Sequence, residues 1–168
     1  VDAATEAGVD LIAYTSVLRA ETTPLLLAAD HKATEEYIRE SRLPFVFLRN
    51  SWYIENYTSQ IPTALENGVI IGAAGEGRIS GATRRDFAAA AAAALTDDAH
   101  ADQVFELGGD HVFTMAEYAA VLSDASGRTV VYQDLPRDEY AETLVGFGLP
   151  EKAAEMYADA DAGVARGD

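Results

Sequence analysis

Apolar runs in the first third of the chain alternate with mixed, helix-like stretches. Residues 2–7 read as the end of a helix, with Gly8 as its C-terminal stop. The run from Val9 to Ser16, "VDLIAYTS", is apolar almost throughout, which suits a buried strand of a parallel sheet. The segment "LRAETTPL" is a loop, and Asp30 is placed to cap a helix running to about Ser41. Pro44 then opens a second strand, "FVFLRN". Strand, helix and strand within about 40 residues is the βαβ rhythm of a doubly wound sheet.

The remainder is more mixed. Ile61 to Asn67 predicts a short helix ending at Gly68, and "VIIGAAGEGRIS" predicts two short strands around a glycine-rich turn. Thr83 or Asp86 caps a helix whose body holds seven consecutive alanines, 88–94, a composition that favours helix and close packing. Residues 103–107 form a strand. Thr114 and Glu117 make a capping box for a helix to about Ala125, with Gly127 after its end. "TVVYQDL" is a further strand, and Leu149-Pro150 divides two final helices. The "GEG" at 75–77 is not a phosphate loop, because no capped helix follows it directly.

A chain of 168 residues is long enough for one domain with a real core, and 49% hydrophobic with 24% charged residues is ordinary for a globular protein. The net charge of −16 offers no basic stripe for nucleic acid and no attraction to an anionic membrane surface. The absence of cysteine excludes disulfides, thiolate chemistry and Cys-ligated metals, and fits a reducing cytoplasm. No apolar run has the length of a membrane span, and no basic-then-apolar leader opens the chain. The start, "VDAATEAG", has no initiator Met and reads as mid-helix. His100 and His111 stand without metal-ligand spacing, so no metal site is expected.

One stretch concentrates chemistry. In "LRNSWYIENY", residues 48–57, the only Trp of the chain and two tyrosines follow directly on a strand, together with Arg49, Asn50, Glu55 and Asn56. Open α/β sheets place their ligands at the C-terminal ends of strands. Tyr14, Thr15 and Ser16 end the preceding strand in the same way. The plainer alternative is an aromatic plug closing the sheet edge, with Arg49 and Glu55 paired as its staple.

The strings "AGVDLIAYTS", "DHKATEEYI", "FVFLRNSWYIENY", "NGVIIGAAGEGRISGATRRDFAAAAA", "VFELGGD" and "GLPEKAAEMYADADAGVARGD" occur in that order along the whole chain. They resemble the type 2 NAD(P)H:quinone oxidoreductases, within the NmrA-like group of atypical short-chain dehydrogenases/reductases. The resemblance implies an α/β, Rossmann-type doubly wound parallel sheet with a small C-terminal α/β substrate-binding part. Residues 1–60 would be the remaining Rossmann core, and 61–168 a mixed core and C-terminal part. Family members begin with a strand, a glycine-rich turn and a helix that hold the pyrophosphate. That segment has no counterpart here, so the chain is expected to be an internal piece that binds cofactor weakly alone.

The resemblance also implies roles. Tyr14, Thr15 and Ser16 fall where short-chain dehydrogenases carry a catalytic Ser. The superfamily's Tyr-x-x-x-Lys pair maps onto Leu27 and His31, so the usual proton donor is absent and no catalytic residue is assigned. His31 would contact the ribose or nicotinamide, with Glu35, one helical turn on, orienting the imidazole. Arg49 and Asn50 join the cofactor set. Trp52, Tyr53 and Asn56 would form the substrate side, because flat rings need apolar walls and amides suit a carboxamide or quinone oxygen. The implied cofactor is NADPH, with NAD as the alternative, and the implied substrate is a quinone; a homo-oligomer stays open. Two rival readings stand beside it: an NmrA-like reductase of another small molecule, and an NADP-sensing regulator without turnover.

Overall fold

A computed structural model describes residues 1–96 and 100–168. Contacts divide the chain into two compact units. The first comprises Val1–Thr23, Leu27–Tyr53 and Gly81–Gly109; the second comprises Pro24–Leu26, Ile54–Ser80 and Asp110–Asp168.

In the first unit, helix α1 (Asp2–Ala7) stops at Gly8, whose φ of 64° lies in the left-handed region that glycine enters freely. Strands β1 (Ile12–Val17) and β2 (Phe45–Asn50) run parallel, with Ile12 opposite Phe45 and Val17 opposite Asn50. Helix α2 (Leu26–Glu40) connects them. The third strand of this sheet, β4 (Gln103–Leu107), lies parallel on the other side of β2. The central strand is buried on both faces, which is why it reads as an unbroken apolar run. Its Val46 and Leu48 pack with Ala91 and Ala94 of helix α5 (Arg84–Leu95). Its Phe47 lies on the opposite face, 4.9 Å beneath the Arg39 guanidinium of α2. Helices therefore cover both faces of a parallel sheet, the Rossmann-type arrangement. Thr83 and Asp86 cap α5 reciprocally, so both candidate caps are used.

The second unit is built on a parallel pair, β3 (Val69–Gly72) and β5 (Val131–Asp134). Two short helices precede β3: α3 (Ile54–Thr58) and α4 (Ile61–Asn67). Helix α6 (Met115–Ser126) has the expected Thr114–Glu117 capping box and ends at Gly127 with φ 67°. Helices α7 (Arg137–Gly146) and α8 (Glu151–Arg166) follow β5 and are joined by an ion pair between Arg137 and Glu155. Their core contains Ala73, Tyr140, Ala141 and Ala158, with Ile71, Leu135 and Leu144 packed against it.

Two local expectations change. Helix α2 begins at Leu26, four residues before Asp30. The Leu26 N–H is taken by the Asp159 carboxylate at 2.7 Å, a partner 133 residues away that no local motif announces. The "VIIGAAGEGRIS" segment contains one strand instead of two. Its Ala73, Ala74 and Gly75 N–H groups donate to Asp161, the Tyr132 hydroxyl and Asp134, and Ile79 pairs antiparallel with Phe113. The stretch after Tyr53, for which the sequence pattern sets no element, coils into α3.

Candidate active site

Parallel pairing brings the C-terminal ends of β1 and β2 level, and strand alternation then sorts their side chains. Tyr14 and Ser16 lie on the sheet face shared with Phe47 and Arg49. Thr15 points to the opposite face and is exposed. The Tyr14 hydroxyl lies 2.8 Å from His31 Nδ1, and the two rings are tilted with centroids 5.7 Å apart. His31 is thus on the helix face that meets β1. Burial lowers its pKa below 6.5, with the carboxylates of Glu35 and Asp30 opposing weakly.

Glu35 does not orient His31. Its side chain has no exposed surface and belongs to Arg49, whose Nε donates to Oε1 at 2.9 Å and whose Nη2 donates to Oε2 at 2.5 Å. Burial pushes the Glu35 pKa up, but the hydrogen bonds from Arg49 outweigh it and hold the group below 4.5. Arg49 also donates to Glu106 at 2.9 Å and to Glu21 at 3.1 Å. Four of its five N–H donors are thereby engaged internally. Arg49 is therefore a strut joining β2 to α2, β4 and the loop after β1, and its carboxylate partners are Glu35, Glu106 and Glu21 in place of the expected Glu55. Glu106 accepts in addition the backbone N–H of Arg19 at 2.9 Å, which ties down the start of that loop.

Asn50 ends β2 on the other face of the sheet. It is buried, and its Nδ2 donates to the Tyr53 hydroxyl at 3.2 Å, while its Oδ1 has no hydrogen-bond partner. Ser16 Oγ is likewise buried without a well-formed hydrogen bond, although its nearness helps hold Glu35 ionised. The Tyr53 ring is packed edge-on against Phe87 at 5.3 Å, with the Arg84 guanidinium 4.1 Å over its face. Half-buried Trp52 accepts the Ala82 N–H at its carbonyl. Asn56 belongs to α3 of the second unit, where its carbonyl accepts from Ser59.

The first unit thus holds Tyr14, Ser16, His31 and Arg49 on one face of the sheet, and Asn50 with Tyr53 at the strand end on the other. Glu21, Glu106 and Arg84 were not singled out from sequence, since the contacts that recruit them span long separations. Only the i, i+4 spacing of Glu35 and Arg39 hinted at an ionic cluster. Among the described residues, no group of His, Asp and Glu side chains could hold a metal ion, and no helix is long and apolar enough to cross a membrane.

Residues 1–162 match the sequence profile of the NmrA-like family. The chain belongs to that family. Quinone oxidoreductase 2 of Escherichia coli is 47% identical to this NmrA-like chain over 167 residues, 99% of this chain and 58% of the relative. A crystal structure of the NADPH-dependent quinone oxidoreductase of Escherichia coli complexed with NADPH superposes with a TM-score of 0.95 at 48% identity, covering 99% of this chain and 59% of that one. The triphenylmethane reductase of Citrobacter sp., complexed with NADP(H), gives 0.87 at 35% identity, covering 99% and 59%. The NmrA-like chain therefore spans about three fifths of the length of these relatives.

Proposed function

We propose that this chain carries the nicotinamide- and quinone-facing part of an NADPH-dependent quinone oxidoreductase. The likeness to the Escherichia coli enzyme supports the reading. The observation that carries it is Asn50, a buried amide at a strand end whose Nδ2 is spent on Tyr53 and whose carbonyl oxygen still needs a donor. The carboxamide N–H of a nicotinamide supplies one. NADPH, when bound, provides the hydride. The residues here position and enclose: Asn50 orients the carboxamide, the Tyr53 ring serves as a wall held by Phe87 and Arg84, and Ser16 and His31 face the ribose side. Reduction of a quinone to a hydroquinone takes one hydride and one proton. Leu27 cannot supply that proton, and the acceptor becomes aromatic on reduction, so a fixed acid matters less than placement.

The test is NADPH oxidation, followed by absorbance with benzoquinone as acceptor, by this chain fused behind the N-terminal part of the Escherichia coli relative that it does not cover. Quinone-dependent turnover is expected, and Asn50→Leu should lower kcat/KM by about tenfold or more through loss of one buried hydrogen bond. The lack of the superfamily's Tyr at position 27 also favours a second reading, an NADP-binding regulator. NADPH binding without oxidation under any quinone would select it.

A further inference from the structure

The Tyr14–His31 contact has a chemical consequence beyond packing. An imidazole nitrogen is a good acceptor and a phenol a good donor, whereas a phenol oxygen accepts poorly. The 2.8 Å contact is therefore read as O–H donated from Tyr14 to an unprotonated Nδ1. The proton of the neutral ring then sits on Nε2. No protein group meets Nε2 among the described residues, and it is not among the buried unpartnered atoms. Glu35, the one nearby carboxylate spaced to compete for the ring, is bonded to Arg49 and Arg39. Asp30 acts on His31 through charge alone, and burial opposes the ring's protonation.

We propose that Tyr14 is a positioning residue that fixes His31 as a neutral Nε2–H donor, presented to an oxygen of the bound cofactor such as a ribose hydroxyl. The ligand half of this inference rests on the proposed function; the tautomer half does not. His31 is then a donor of a hydrogen bond and not of a proton. Tyr14 acts through it without touching the ligand, in contrast to the direct cofactor contact expected from sequence.

The experiment uses this chain with 15N-labelled histidine. Long-range 1H–15N spectra at neutral pH should show the His31 ring as the Nε2–H tautomer. Tyr14→Phe keeps the ring that meets Phe47 edge-on at 6.4 Å and removes only the hydroxyl. In that variant the tautomers should mix, and the His31 pKa should rise, because a hydrogen bond favouring the neutral ring is gone. A wild-type Nδ1–H tautomer, or spectra and titration unchanged by Tyr14→Phe, overturns the assignment. Adding NADPH at high concentration should shift the His31 Nε2 resonance, with a Kd about fivefold weaker in Tyr14→Phe. An Nε2–H ring that ignores saturating NADPH overturns the ligand half and, with it, the placement of the ribose at His31, while the tautomer result stands apart.

Discussion

Glu35 and Asp161 are both buried acids, and their surroundings push them in opposite directions. Glu35 is held ionised by Arg49, so its stabilising effect is present above 4.5 and is lost as pH falls through its lowered folded value. Glu35→Gln removes the carboxylate charge and leaves one acceptor oxygen for the two Arg49 donors, while Glu106 and Glu21 remain. The expected loss is about 2–3 kcal/mol, read from the urea midpoint at pH 7. Asp161 accepts the Ala73 N–H at 3.0 Å, and burial drives its pKa up from 3.8 to about 6, with Asp134 adding to the rise. Tyr57, Tyr132 and Tyr140 also surround it. Here the folded unit binds the proton more tightly than the unfolded chain, so its contribution is full below 3.8 and fades as pH rises through about 6. Asp161→Asn keeps an acceptor for Ala73 and removes the charge. Melting curves from pH 4 to 8 should show it flattening the wild-type decline and gaining about 2–3 kcal/mol at pH 8. Neither behaviour could be read from sequence. Glu35 looked like a partner for His31 because both occupy one helix face, and what redirected it was an Arg on a neighbouring strand. Asp161 sits in "YADADAG" with nothing local to separate it from Asp159, which instead caps a distant helix.

Helix α8 owes its seat to glycines on both sides of the contact. A Cβ on Gly77 would lie 2.3 Å from the Val164 carbonyl oxygen, a backbone atom that cannot step aside. One on Gly163 would meet the tip of Leu25 at the same distance, and that flexible end can rotate away. Gly77→Ala should therefore destabilise by about 2–3 kcal/mol. Gly163→Ala should be close to neutral, since the better helix propensity of Ala offsets the adjustment. Thermal unfolding of the two variants side by side checks this, and an equal loss in both would contradict the asymmetry. Elements were legible where their signals are local. The Thr83 cap, the Thr114–Glu117 box and the stops at Gly8, Gly68 and Gly127 are where the sequence puts them, and Asp86, the alternative cap, closes a box with Thr83. The second strand expected in "VIIGAAGEGRIS" shrinks to one antiparallel bridge between Ile79 and Phe113, while the N–H groups of the turn before it go to Asp161, Tyr132 and Asp134, all far along the chain.

With a net charge of −16 spread over 168 residues, self-repulsion opposes compaction. Raising the salt from about 0.02 M to about 0.5 M shortens the screening length to a few ångströms and should raise the Tm by about 3–6 °C. Replacing acids on the exposed surface with their amides should shrink that response, whereas Asp161→Asn, being buried, should leave most of it. The βαβ beginning and the general α/β class were readable from apolar periodicity. The division into units was not, because the first one takes back residues 81–109 after the chain has already begun the second. Strand pairing decides that, and parallel pairing leaves no turn signature to betray it. The interleaving also bears on synthesis. Strand β2 emerges from the ribosome with β1 available on one side, but Arg49 meets Glu106, and its outer edge meets β4, only 57 residues later. In the interval a nascent chain displays an apolar, unpaired strand edge, the kind of surface that chaperones shield and that neighbouring nascent copies can capture.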